Sequence, residues 1–190
     1  MKHRTLPAAI LILCVVGSVN AQTKVSKQRL DAIWSALDDR VTQQSDVWFE
    51  EGDFPKSIHI LEMQATYSPH DYEVVTNLGW MQENVEEWDT ALATYKTYLR
   101  NNPQDKDRAL PEATYLFNRR RYAEVPPVLE PVIAGKPHPN NYRLLAHAYE
   151  KLKKYKDAKR IWVALIARDP RDLMAVANLK KVEKKLSQSK

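Results

Sequence analysis

Three short stretches, "YSPHD" (residues 67–71), "NNPQD" (101–105) and "RDPRD" (168–172), each carry a central proline. A fourth proline stands at the same phase in "GKPHP" (135–139). Pro69, Pro103, Pro137 and Pro170 are thus spaced by 34, 34 and 33 residues. Counting back from each proline exposes three columns. Fifteen residues before stand Phe54, Trp88, Tyr122 and Tyr155, all aromatic. Twelve before stand Ser57, Ala91, Val125 and Ala158, and eight before stand Leu61, Tyr95, Leu129 and Trp162. Between the prolines, apolar residues fall at helical spacing in two segments joined by a short polar turn. The small column marks where two helices cross too closely for a large side chain. The aromatic column opens the second helix and fills its junction with the first. A proline ends each unit because it cannot continue a helix and turns the preceding residue away from helical geometry. Asp71, Asp105 and Asp172, two residues past a proline, are placed to cap the next helix by accepting a free backbone N–H.

This pattern resembles the tetratricopeptide repeat. Residues 72–105 carry it best, with "NLG" at 77–79 followed by Trp88, Ala91, Tyr95 and Pro103. The fourth unit follows closely through Tyr142, Leu145, Ala146, Tyr149, Tyr155, Ala158, Trp162 and Pro170. The first unit has Gln44 and Ser45 in place of the usual leucine and glycine. The third has Glu112 for leucine and Val125 for alanine, with Pro111, Pro126, Pro127 and Pro131 added. Repeats of about 38–71, 72–105, 106–138 and 139–172 follow. The expected fold is all-α, with about nine helices. It is a right-handed superhelical solenoid of about four helix-turn-helix repeats. An extended first helix runs from about Ser26 to about Glu51, and a capping helix covers 173–187, apolar on one side and lysine-rich on the other. "EVPPVLEPV" (124–132) reads either as a local irregularity of helix B or as a hinge between units one and two and unit four. Pro126 and Pro127 are harmless in a first turn, whereas Pro131 removes a helical hydrogen bond.

The N-terminus reads separately. "MKHR" is basic, "LPAAILILCVVG" (6–17) is a short apolar run, and "SVNA" ends in small Ala21. That order is a secretory signal peptide, so residues 1–21 are set apart from a repeat domain over 22–190, and an exported, periplasmic or secreted protein is expected. An uncleaved anchor is the alternative. Cys14 is the only cysteine, and "LIL" before it lacks the small residues of a lipoprotein signal. After cleavage no disulfide, thiolate metal site or cysteine nucleophile is possible.

No catalytic constellation is present in the sequence. His59, His70, His138 and His147 fall in different units without helical metal-ligand spacing, and there is no phosphate loop or nucleophile elbow. No enzyme activity, cofactor or metal is expected. The charge is uneven instead. Residues 22–105 hold 7 Lys+Arg against 15 Asp+Glu, and residues 106–190 hold 20 against 9. The basic patch is densest at Arg119, Arg120, Arg121, Lys151, Lys153, Lys154 and Lys156. It suits an anionic envelope component, a membrane surface or an acidic protein, or else forms a solvated face. Export disfavours nucleic acid.

The resemblance implies a concave groove lined by five positions of each first helix. These are Thr42, Asp46, Phe49 and Glu50 in unit one. Unit two adds Glu73, Thr76, Trp80, Glu83 and Asn84, and unit three Asp107, Leu110, Thr114, Phe117 and Asn118. Unit four adds Asn140, Arg143, His147, Glu150 and Lys151. The paired Lys and Asn with which some relatives grip a peptide carboxylate are absent. Phe49, Trp80 and Phe117 are either anchors for a protein or peptide partner or packing groups between helices. The function implied is protein–protein interaction or scaffolding in the cell envelope.

Overall fold

A computed structural model describes residues 26–188, so the signal-peptide assignment lies outside the described residues. Two compact units divide the chain, residues 1–36 and 37–190. The described part of the first is the opening of helix α1 (Lys27–Glu50), which continues into the second. The rest of the second unit is α2 (Phe54–Tyr67), α3 (Tyr72–Asn84), α4 (Trp88–Asn101), α5 (Leu110–Asn118), a 3₁₀ turn (Tyr122–Glu124), α6 (Val125–Ile133), α7 (Pro139–Lys151), α8 (Tyr155–Arg168) and α9 (Leu173–Gln188). Among the described residues there are nine α-helices and no strand, and no helix is long and apolar enough to cross a membrane. From α2 onward each helix packs on its neighbour in sequence, as in a solenoid.

The repeat columns occupy the places their chemistry demands. Ser57, Ala91, Val125 and Ala158 are fully buried at the helix crossings. Ser57 keeps its hydroxyl there by donating to the Ser45 carbonyl at 3.3 Å. Leu61, Tyr95, Leu129 and Trp162 are buried in the core, while Phe54, Trp88, Tyr122 and Tyr155 are half-buried. Gly79 marks the tightest crossing. A Cβ there would lie 2.2 Å from the Tyr95 ring.

The turns within the hairpins repeat as faithfully as the prolines between them. Gly52, Glu86, Arg120 and Lys153 all have positive φ, between 56° and 76°. In each turn the next N–H reaches back to close the helix: Asp53 to Trp48, Glu87 to Gln82, Arg121 to Leu116 and Lys154 to Tyr149, at 2.8–2.9 Å. This is the Schellman stop, which satisfies carbonyls at a helix end by one left-handed residue. Only the first turn uses glycine, the residue that adopts this conformation without steric cost.

The caps and the third repeat depart in part from the sequence reading. Asp71 caps α3 through the N–H groups of Glu73 (2.8 Å) and Val74 (3.2 Å), and Asp172 accepts from Ala175 N–H at 2.9 Å to open α9. Asp105 does not cap α5. It accepts from Asp107 N–H and from the Tyr98 hydroxyl, both at 2.8 Å, and α5 begins only at Leu110. The cause is Pro111, which has no N–H to continue a helix started at Asp105 and is tolerated only in a first turn. Helix α6 is shortened to nine residues behind the 3₁₀ turn, with Pro126 and Pro127 in its first turn and Pro131 inside it.

Candidate interaction surface

The first helices of successive hairpins present one face as a wall with three hollows. The first lies between α1 and α3, has a volume of about 360 Å³, and is lined by Asp38, Thr42, Ser45, Asp46, Phe49, Asp71, Glu73, Asn77 and Trp80 among others. Trp80 then passes into a second hollow against α5, shared with Thr76, Glu83, Asn84, Thr114 and Asn118. Thr114 and Leu110 lead to a third, against α7, lined by Phe117, Asn140, Arg143 and His147. Most of the family-implied positions line these three hollows, whereas Glu50, Asp107, Glu150 and Lys151 line none of them.

Their side chains have different duties. Trp80 is 49% exposed and Phe49 41% exposed, although both are large apolar groups. Their ring centroids lie 5.8 Å apart, and Phe49 also meets the edge of Phe54 at 5.7 Å. Asn84 donates to the Trp80 carbonyl at 2.8 Å, and Glu83 accepts from the Tyr95 hydroxyl at 2.8 Å. Burial, with that carboxylate beside it, pushes the Tyr95 phenol above its ordinary pKa. Phe117 is half-buried, packed on the core and edge-on to Tyr122 at 5.1 Å. It serves the wall and the hairpin at once.

Arg143 and Glu150 act mainly as braces. Arg143 binds Asp172 at 2.6 Å and Asn140 at 2.9 Å, tying α7 to the start of α9. The Glu150 side chain, 13% exposed, accepts from Trp162 Nε1 at 3.3 Å and from Lys185 Nζ at 3.0 Å. His147 stands 3.4 Å from the same carboxylate, with its ring edge-on to Trp162 at 5.1 Å. Burial holds its pKa below the ordinary value, against the pull of Glu150.

The basic residues gather at the turns. Arg119 stacks its guanidinium 4.0 Å from the Trp88 ring centroid, and Arg121 grips Glu124 with two bonds of 2.7 Å. Arg120 is the left-handed residue of its turn and Lys153 of the next. Lys151 lies 5.9 Å from the Tyr122 ring, which sets the two turns side by side. Lys153, Lys154 and Lys156 are exposed.

Asp38, Asp71 and Asn77 line the first hollow without having been singled out for it by sequence. The signal was there: 42, 46 and 49, and 73, 77 and 80, are spaced to share one helix face. Among the described residues no group of three or more His, Cys, Asp or Glu is placed to hold a metal ion.

Stacked hairpins whose first helices share one face define an α-solenoid. The sequence matches no family model and no curated protein. Solved structures do match. MamA from Desulfovibrio magneticus RS-1, from residue 41 to its end, aligns with a TM-score of 0.55 at 17% identity, over 79% of this chain and 91% of that one. A tetratricopeptide repeat protein from Parabacteroides merdae gives 0.63 at 16% identity, over 79% and 60%. The first such domain of human RPAP3 gives 0.54 at 19% identity, over 63% and 95%. The first such domain of Spaghetti (RPAP3), bound to the HSP90 peptide SRMEEVD, gives 0.52 at 18% identity, over 60% and 94%. The chain has the tetratricopeptide-repeat fold.

Proposed function

We propose that this chain is a non-catalytic interaction module of the cell envelope that takes a segment of a partner protein along the wall formed by α1, α3, α5 and α7. The observation that carries this reading is Trp80. It is half exposed at the junction of two hollows, on a face that gains nothing from a solvated indole. The peptide-bound RPAP3 domain supports the class of partner. An aromatic anchor desolvated on binding is worth about 2 kcal/mol or more when truncated, whereas a core aromatic costs about 3–5 kcal/mol of stability. Trp80→Ala is therefore expected to keep a near-native melting temperature and to lose capture of its partner from envelope extract. A large fall in melting temperature would make the ring a core residue and remove it from the site. Phe117→Ala should lose both, because that ring packs on the core as well.

The envelope setting rests on the basic, apolar and small-residue order of residues 1–21. Mass spectrometry of the exported protein is expected to find Gln22 at the N-terminus. Recovery of intact Met1 would replace cleavage by an anchor.

A second reading has its own observation. The turns carrying Arg120 and Lys153 are adjacent, so the exposed cations of repeats three and four form one edge suited to an anionic surface.

A further inference from the structure

We infer that the hollow between α1 and α3 is a seat for a lysine- or arginine-bearing segment of a partner protein, a choice of ligand that rests on the wall being a binding surface. Four carboxylates line this hollow, Asp38, Asp46, Asp71 and Glu73, and no lysine or arginine does. Two of them are occupied: Asp71 caps α3, and Asp38 accepts from Gln64 Nε2 at 2.7 Å. Asp46 and Glu73 are exposed and have no ion-pair partner among the described residues. The exposed rings of Phe49 and Trp80 line the same hollow.

That combination selects by charge. An apolar segment covering the rings would strip water from two carboxylates and give them nothing in return. An acidic segment would meet like charge. An ammonium or guanidinium group gains from the carboxylates and from the negative faces of the rings together, and its aliphatic stem covers indole. The selection also has a direction. The second hollow has Glu83 as its one carboxylate, and the third has no carboxylate in its lining and contains Arg143, which Asp172 pairs. A segment lying along the wall accordingly places its cationic end over α1 and α3. The peptide SRMEEVD seen on the RPAP3 domain has the opposite balance, three acidic residues to one arginine, and does not suit this first hollow.

The test uses the full chain and two synthetic peptides of equal length, one alternating lysine with leucine and the other glutamate with leucine. Affinity is measured by fluorescence anisotropy at about 0.05 and 0.15 M salt, across the range where exposed charges become screened. The lysine peptide should bind at least about tenfold more tightly than the glutamate peptide, and Asp46→Lys with Glu73→Lys should remove that advantage. Circular dichroism should stay unchanged and the melting temperature should fall only slightly, because both sites are exposed and Glu73→Lys loses only a first-turn charge of α3. Glu86→Lys with Glu87→Lys, on the turn outside the hollow, should leave binding intact. A salt-sensitive dimer broken by Asp46→Lys would support the seat and identify a second copy as the source of the basic segment. Glutamate-peptide binding that Trp80→Ala abolishes would keep the wall and overturn the cation. Lysine-peptide binding unaffected by reversal at Asp46 and Glu73, or no binding of either peptide, would overturn the seat itself.

Discussion

Glu112 occupies a position in α5 where the repeat pattern asks for leucine, and it is 5% exposed. Burial raises its carboxyl pKa above the ordinary 4.5, while the positive fields of Lys96 and Arg121 pull it back in part. The folded chain thus holds this proton to a higher pH than the unfolded chain. Below 4.5 both states are protonated and the group costs little. As the pH rises past that value the unfolded state ionises first, and stability falls until the folded carboxyl ionises too. At pH 7, above the ordinary value, the chain carries a cost of this kind. Glu112→Leu is expected to stabilise it there by about 1 kcal/mol, the low end of the range for a buried polar group, because Lys96 and Arg121 offset part of the cost. The gain should shrink when urea unfolding is repeated below pH 4.5, the ordinary value of the group. An equal gain at both values would show that leucine improves packing and that charge is not the cause.

Individual helices show which features a one-dimensional pattern can carry. Columns of small and aromatic residues at a period of 34 mark the second helices α2, α4 and α8, because burial at a crossing constrains residue type directly. The left-handed turn residues were not legible. Glu86, Arg120 and Lys153 carry no glycine signature, and tertiary packing of the hairpin imposes the conformation on them. Helix α5 was misjudged at its start because a cap aspartate and a nearby proline make opposite demands, and Pro111 prevails through the missing donor. The family resemblance supplies a set of positions, most of which line the three hollows. The duties of Arg143 and Glu150 were not legible, since their partners Asp172, Trp162 and Lys185 lie 12 or more residues away. The charge bias of the first hollow also needed the structure. It depends on which acidic side chains of two helices face each other, and composition cannot distinguish those from solvated ones.

Across residues 37–190 the charge of the chain divides along the turns inside the hairpins. Acidic residues dominate the first two turns, with Glu50, Glu51 and Asp53, then Glu86, Glu87 and Asp89. Basic residues dominate the next two. Part of that basic edge is already committed: Arg119 is stacked on Trp88 and Arg121 is held by Glu124. The cations left to meet an anionic surface are Arg120, Lys151, Lys153, Lys154 and Lys156, fewer than the sequence clusters suggested. They are exposed, so any attraction they produce is screened over about 8 Å at 0.15 M salt. Co-sedimentation with vesicles of anionic phospholipid should therefore be strong at low salt and fall steeply above about 0.15 M, with neutral vesicles retaining nothing. Lys153, Lys154 and Lys156 replaced together by glutamate should abolish retention without lowering the melting temperature. Arg121→Gln should change retention little and instead release Glu124 at the 3₁₀ turn. Retention that is insensitive to salt and to the triple replacement would mean that the lysines only solvate this edge. The wall would then be left as the surface through which the chain meets its partners.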